Sequence, residues 1–159
     1  MSRPAVEIHL GATRAEIDDL VANLRPQDQA ECVAGGVTDF RSAVADGVAH
    51  SMLCWTGLVD GRVACIFGVR ASQGFLGEQG VPWMLGTELV AKNARAFIRN
   101  SRPYIAQMLR AYPHLMNYVH APNRDAIGWL KRMGFVIGGA VMAPTGEMFY
   151  PFEMRAQNV

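Results

Sequence analysis

Three segments of the chain carry the apolar–polar alternation that is typical of β-strands. The first covers residues 5–12, AVEIHLGA, and the other two are SMLCWTGLV and RVACIFGVR, residues 51–59 and 62–70. The dipeptide Asp60-Gly61 separates the last two segments and suits the two-residue type I′ turn of a β-hairpin. The pattern therefore predicts one amino-terminal strand and, later in the chain, a pair of antiparallel strands.

Two helices are predicted between the first strand and the hairpin. Thr13 and Glu16 have the spacing of a capping box, which opens a helix over RAEIDDLVANL, residues 14–24. Pro26 interrupts this pattern. Apolar residues then recur at helical spacing over residues 39–51, DFRSAVADGVAHS, and predict the second helix.

The middle of the chain predicts a loop, a strand and a long helix. Residues 71–80, ASQGFLGEQG, are rich in glycine and predict a loop, and VPWMLGT, residues 81–87, predicts a strand. From 92 to 112 an apolar stripe persists at helical spacing. Pro103 lies inside the stripe, which keeps its phase across the proline, so we expect one bent helix.

The carboxyl-terminal part predicts a strand over 115–121, a helix over 124–133 and two closing strands within 135–144 and 147–156. Strands that form a hairpin beside a strand–helix–strand unit imply a mixed sheet. The sequence thus predicts a single α/β (α+β) domain over 1–159, with a mostly antiparallel sheet of about six to seven strands and helices on both faces.

The composition is that of a globular protein, since half of the 159 residues are apolar and 18% are charged. No apolar run approaches the ~20 residues that a membrane span needs. The amino-terminal residues 1–12 contain no apolar stretch of the kind found in signal peptides. We therefore expect a protein that is not secreted and has no membrane partner.

The cysteines predict neither disulfides nor a metal site. Cys32, Cys54 and Cys65 are odd in number, show no CxxC spacing and have apolar neighbours. These features are typical of buried free thiols. No pair of His or Cys residues has metal-ligand spacing, and no Walker loop or GxGxxG motif occurs.

Charge is unevenly distributed along the chain. The net charge is +1, yet residues 89–135 contain eight basic residues against Asp125 alone. Such a segment serves an anionic ligand, a nucleic acid, or only the solvated faces of helices. The basic residues are Lys92, Arg95, Arg99, Arg102, Arg110, Arg124, Lys131 and Arg132.

The element order and one late motif resemble the GNAT superfamily of acetyl-CoA-dependent N-acyltransferases. The motif is a helix led by asparagine that ends in Gly-Phe, and the matching residues are Asn123, Ala126, Ile127, Gly134 and Phe135. The resemblance implies a GNAT-like fold in which the strand before this helix splays from its neighbour to admit the cofactor. Backbone groups left unpaired by such a splay would meet the pantetheine arm of coenzyme A.

A closer similarity is to the GNAT-like internal virion proteins of short-tailed phages. It rests on LRAYPHLMNYVHAPNRDAIGWLKRMGF, residues 109–135, and on PWMLGT, residues 82–87, which precedes a basic helix. This similarity implies a phage protein with a binding or assembly role, other virion proteins as partners, and a location in the virion or the host cytoplasm.

The GNAT family binds the pyrophosphate of coenzyme A with a glycine-rich loop whose exposed backbone N–H groups meet the phosphate oxygens. The corresponding stretch, KNARAF at 92–97, contains no glycine. Side chains there hinder a close approach, whereas the backbone N–H groups and two basic side chains remain. The resemblance implies acetyl-CoA as the cofactor, with contacts from Leu85, Thr87, Lys92, Arg95 and Asn123.

The chemistry departs from the family at one further position. Many GNAT enzymes have a tyrosine five residues before the Phe of Gly-Phe, where it protonates the departing thiolate. Leu130 stands at that position and cannot donate a proton, and loss of a general acid costs ~10²–10⁴-fold in rate. Tyr118, His120 or water are alternative donors, and Glu88 is the candidate base by topology.

Three functions remain open on this basis. The first is a virion-associated GNAT-fold protein with a binding or assembly role and weak or absent acyl transfer. The second is an active acetyl-CoA-dependent N-acetyltransferase. The third is a nucleic-acid-binding module that uses the basic segment, although the aromatic residues there follow its apolar stripes.

Overall fold

The computed structural model describes residues 2–73 and 78–157. The loop predicted over 71–80 lies partly outside these residues. One sheet contains eight strands, of which two are very short. They are β1 (Val6–Leu10), β2 (Ser51–Val59), β3 (Arg62–Ala71), β4 (Gln79–Gly86), β5 (His114–His120), β6 (Val136–Ile137), β7 (Val141–Met142) and β8 (Met148–Arg155).

Seven helices connect the strands, and local signals explain where several of them begin. The Thr13 side chain accepts from the Glu16 N–H and the Glu16 side chain accepts from the Thr13 N–H, which confirms the predicted capping box. The helices are α1 (Arg14–Ala22), α2 (Pro26–Ala34), α3 (Phe40–His50), α4 (Glu88–Lys92), α5 (Ala94–Arg99), α6 (Arg102–Ala111) and α7 (Arg124–Met133).

The strands follow the order β1-β2-β3-β4-β5-β8-β6, and β7 pairs with β8. The hairpin of β2 and β3 is confirmed, since both turn residues have positive φ, 48° at Asp60 and 79° at Gly61, as a type I′ turn requires. β4 and β5 pair in parallel, whereas every other neighbouring pair in the described sheet is antiparallel. The predicted mixed, mostly antiparallel sheet is confirmed.

Prolines account for two differences from the predicted elements. Pro26 occupies the first turn of α2 and begins a helix that the sequence analysis did not predict. The expected bent helix over 92–112 is instead divided among the end of α4, α5 and α6, with one break at Asn93 and another at Asn100 and Ser101. Pro103 lies in the first turn of α6 and accounts for the second break. The strand count exceeds six to seven because residues 136–142 form two strands of two residues each.

The sheet buries a core on each face. Successive side chains of a strand point to opposite faces, so the neighbours Cys54 and Trp55 belong to different clusters. Cys54 packs with Leu20 of α1 and Val44 of α3, whereas Trp55 packs in the cluster that contains Met108 of α6. The sheet therefore separates α1 and α3 from α6 and α7.

Gly80 lies where β4 pairs with β5, and we expect Gly80→Ala to lower the free energy of unfolding by about 1–3 kcal/mol, as overpacking does. A Cβ there would lie 2.7 Å from the Tyr112 ring and 2.8 Å from Val69. Gly128→Ala in α7 is the matched control, since its Cβ meets nothing within 4 Å. It should stabilise the protein by about 0.5–1 kcal/mol through helix propensity. Urea unfolding of both variants tests the pair, and equal midpoints would contradict it.

Candidate functional site

The sheet opens between β4 and β5. The two strands pair only at Gln79 with His114 and at Gly80 with Leu115, although β4 runs on to Gly86 and β5 to His120. The space beyond these two pairs is called the gap below, with a closed end at Gly80 and a mouth at Gly86. Separated strands leave backbone N–H and C=O groups that need other partners.

Asn117 satisfies two of these groups near the closed end. Its Nδ2 donates to the Pro82 carbonyl at 2.7 Å, and its Oδ1 accepts from the Tyr118 N–H at 2.8 Å. One side chain of β5 thus bridges to β4 where the strands begin to part. Proline has no backbone N–H, so this one bond satisfies the backbone of Pro82.

At the mouth, the start of α2 satisfies the backbone of Gly86. The Arg25 N–H donates to the Gly86 carbonyl at 3.0 Å, and the Gly86 N–H donates to Asp28 Oδ2 at 2.8 Å. In the antiparallel pair of β3 and β4, every second residue of β4 directs its N–H and C=O away from β3 and toward the gap. Gly86 is such a residue, and so is Met84, two residues earlier. Within the described residues, neither Asn117 nor α2 reaches that peptide.

Arg25 fills the mouth with a buried cation. Its side chain is 1% exposed, and its Nη2 donates to Asp28 Oδ1 at 2.9 Å and to Asn123 Oδ1 at 3.1 Å. The guanidinium carbon lies 4.6 Å from the centre of the Trp129 ring, a cation–π distance. The Arg25 side chain therefore links α2 to the start and middle of α7.

The arginine is incompletely satisfied. Among the described residues, no hydrogen-bond partner meets Arg25 Nε or Nη1, and Asp125 Oδ2 stays 3.9 Å from Nη1. Buried N–H groups without a partner cost free energy. The buried positive charge also needs a counter-charge, which the Asp28 carboxylate supplies 2.9 Å from Nη2.

Glu31 of α2 is a carboxylate held at the same place. Its Oε2 accepts from Asn123 Nδ2 at 2.6 Å, and its Oε1 accepts from the His120 backbone N–H at 3.1 Å. Burial raises the pKa of Glu31 above its ordinary value of 4.5, and the nearby charge of Asp28 adds to the increase, although the two hydrogen bonds oppose it. A fixed carboxylate with a raised pKa is a typical general base.

Cys32, the next residue, does not supply a nucleophile. Burial raises the pKa of its thiol to about 11, and the charges of Asp28 and Glu31 contribute to the increase. The thiol is therefore protonated near neutral pH and remains a poor nucleophile.

A cavity of about 490 Å³ contains the gap and continues on both faces of the sheet. Its volume is in the range of small-molecule sites. Its charged lining residues are Arg25, Asp28 and Glu31 near the mouth and Arg70 on β3, and most of the remaining lining is apolar or aromatic.

The structure separates the eight residues predicted from the sequence into three groups. Leu85 and Tyr118 line the cavity, and Tyr118 is 46% exposed. Glu88, Lys92 and Arg95 are exposed residues of α4 and α5 and do not line it.

The other three predicted residues lie beside the cavity and are buried. Thr87 caps α4 and donates to the Val63 carbonyl at 3.0 Å. His120 Nε2 lies 3.0 Å from Glu147 Oε2, so its ring serves that pair. Asn123 caps α7 through Ala126 N and binds Arg25 and Glu31.

Arg25, Asp28 and Glu31 were not among the residues predicted from the sequence. A signal for them exists, because residues spaced by three share one face of a helix. The segment had been interpreted as interrupted at Pro26, and the helix that carries this spacing was therefore not predicted.

Of the aromatic side chains in the basic segment, Tyr118 is exposed, whereas the following three are buried or line the cavity. Tyr112 is buried, and Phe97 and Trp129 line the cavity. Stacking of nucleic-acid bases needs exposed rings, so these residues offer no support for a nucleic-acid module.

Residues 2–73 and 78–157 contain neither a membrane-spanning helix nor a cluster of metal ligands. No helix there combines the length and hydropathy that crossing a bilayer requires. No group of three or more His, Cys, Asp and Glu side chains in the same part of the chain could hold a metal ion.

Removing the cation at the mouth should destabilise the protein strongly. We expect Arg25→Met to lower the free energy of unfolding by about 3–5 kcal/mol, because Asp28 is left buried without a counter-charge. Asp28→Asn in the same chain should recover part of that loss. A double-mutant cycle in urea measures the coupling between the two side chains. Additive effects would show that the pair is not coupled.

Comparison with solved structures relates this geometry to known proteins. Aminoglycoside acetyltransferase AAC(6')-Ib in complex with coenzyme A has a TM-score of 0.67 and 13% identity, with 95% of each chain covered. The GNAT-family acetyltransferase of Streptococcus pneumoniae has a TM-score of 0.63 and 15% identity over 96% of this chain and 100% of its own. The ribosomal-protein-S18-alanine N-acetyltransferase of Escherichia coli has a TM-score of 0.65 and 10% identity over 98% and 96%.

These likenesses have low sequence identity, and they do not show the resemblance to phage virion proteins. A scan against models of protein families gives no match, and a search among curated proteins gives none either. What the solved structures do show is that this chain has the fold of GNAT acetyltransferases.

Proposed function

We propose that the protein is an N-acyltransferase that takes its acyl group from a coenzyme A thioester. The observation that supports this proposal most directly is the gap, in which the Met84 peptide points toward an open cavity. An amide of the pantetheine arm matches such a peptide, since it offers one N–H and one C=O in return. Solved structures similar to this chain are acetyltransferases, and one of them holds coenzyme A.

The charged end of the donor needs a basic surface outside the gap. The arm is proposed to lie along β4 inside the cavity, with its phosphates beyond the end of β4, near α4, α5 and α7. Lys92 and Arg95 are exposed there and are proposed to supply charge in place of the glycine-rich loop. Leu85 lines the cavity beside the arm, Thr87 caps α4 through the Leu89 N–H, and Asn123 holds the Arg25 side chain at the mouth.

The acceptor is proposed to be a primary amine that approaches from the α2 face. The amine nitrogen attacks the thioester carbonyl, a C–N bond forms, the C–S bond breaks, and the nitrogen loses a proton. Glu31 is the proposed base for this proton. The thiolate leaves and takes up a proton from water or Tyr118, which lines the cavity, since Leu130 cannot supply one.

Glu31→Gln tests the base. We expect kcat/KM to fall by about 10²-fold or more, because a general base contributes about 10²–10⁴-fold, while affinity for coenzyme A stays the same. In the parent protein, kcat/KM should rise with pH through a value above 4.5, because burial raises the pKa of Glu31 and the base acts when deprotonated. This rise of kcat/KM with pH should be absent in Glu31→Gln.

Two further substitutions make the experiment decisive. Glu7→Gln on the exposed surface of β1 is the matched control and should keep full activity. Glu88→Gln tests the carboxylate named from the sequence. A large loss at Glu88 together with an unchanged Glu31→Gln variant would assign the base to Glu88.

A second candidate function is a binding or assembly role in a phage virion without acyl transfer. Two observations favour the absence of acyl transfer: Leu130 stands where many GNAT enzymes have a proton donor, and Arg25 and Asp28 bind the peptide groups of Gly86 at the mouth. The virion location itself rests on the sequence similarity alone. Other virion proteins would then be the partners, in the virion or the host cytoplasm.

Titration of the purified protein with acetyl-CoA by calorimetry distinguishes the two candidates. The enzyme proposal predicts heat of binding and a rise in melting temperature that grows with ligand concentration. Absence of both at millimolar ligand would refute it. The virion role requires the protein to be present in purified particles, and its confinement to the lysate would refute that role.

A further inference from the structure

The cavity extends further than an acetyl group needs. Part of it lies between the sheet and the helices α6 and α7, on the face opposite α1 and α3. We call this part the apolar chamber. Its walls are formed by Phe67 of β3, Tyr104, Ile105 and Met108 of α6, Met133 of α7 and Phe152 of β8.

The chamber begins beside the Met84 peptide. Met84 lies opposite Phe67 in the β3–β4 register, and both side chains pack in one cluster. An acyl group delivered along β4 therefore reaches Phe67 directly after Met84. Leu130 of α7 also lines the cavity and packs against the core cluster that Phe67 and Phe152 share.

The chemistry of the chamber differs from that of the mouth. None of its six wall residues is charged, and the Tyr104 hydroxyl is their sole polar side-chain group. Water in such a space finds few hydrogen-bond partners, so an aliphatic ligand is favoured there. Phe67, Tyr104, Ile105 and Met133 are only partly buried, and all four line the cavity.

We propose that the acyl group transferred is a linear, medium-chain aliphatic group that occupies the apolar chamber. This inference rests on the proposed function and specifies its donor. The amine nitrogen forms the new amide bond with the carbonyl carbon, and the thiol of coenzyme A leaves. The aliphatic tail takes no part in the bond changes and contributes only binding.

The chain-length series of donors tests this inference on the full-length protein. Free coenzyme A and its acetyl, butanoyl, hexanoyl and octanoyl thioesters are titrated by calorimetry below their micellar concentrations. We expect affinity to rise about fourfold for each added methylene until the chamber is full. The heat-capacity change should become more negative along the series.

A larger side chain inside the apolar chamber should abolish the preference for longer acyl chains. Ile105→Phe places a larger side chain on the chamber wall, so octanoyl-CoA should lose its advantage over acetyl-CoA while free coenzyme A binds as before. Ile127→Phe is the matched control, because Ile127 packs in the same core without lining the cavity. Ile127→Phe should retain the increase of affinity with acyl chain length.

Each outcome has a distinct meaning. If all thioesters bind as free coenzyme A does, the inference is overturned and the proposed function stands. If neither coenzyme A nor any thioester binds, the proposed function itself fails. An equal rise in parent, Ile105→Phe and Ile127→Phe would show adsorption elsewhere, and this would also overturn the inference.

Discussion

The separation of β4 from β5 is the constraint on which the rest of the structure depends. Strands that part inside a sheet expose peptide groups to a buried space, where each unpaired group is costly. This chain assigns specific side chains to those groups. Asn117 covers the inner end, and α2 covers the outer end through Arg25 and Asp28. Apart from the backbone groups of Met84, the peptide groups of β4 that face the gap are satisfied from outside the ladder.

The same arrangement divides the site by polarity. At the mouth, a buried ion pair, an amide and a carboxylate with a raised pKa hold one another in place. Under α6 and α7 the walls are almost entirely apolar. A thioester donor has this division itself, since its polar arm ends in an apolar group. Asn123 is central to the polar part because it caps α7 and binds both Arg25 and Glu31.

Local signals made much of the fold predictable from the sequence. The Asp60-Gly61 turn, the capping box at Thr13 and the positive φ of 104° at Gly134, where α7 ends, depend on neighbouring residues only. Prolines were harder to interpret, because Pro26 begins a helix and Pro103 divides one. The cluster of Arg25 with Asn123 joins residues 98 positions apart, and no local pattern reports such a contact.

Pro82 shows how an opening inside a sheet avoids the hazard of a free strand edge. An unpaired edge is a template on which a strand of another chain can add. Pro82 offers no donor to an incoming strand, its carbonyl is already bound, and the peptide groups of Gly86 are occupied. The single peptide left between them, at Met84, is too short to start a ladder. The cleft thus leaves room for the proposed amide contact at Met84 while it resists invasion by a neighbouring chain and the aggregation that would follow.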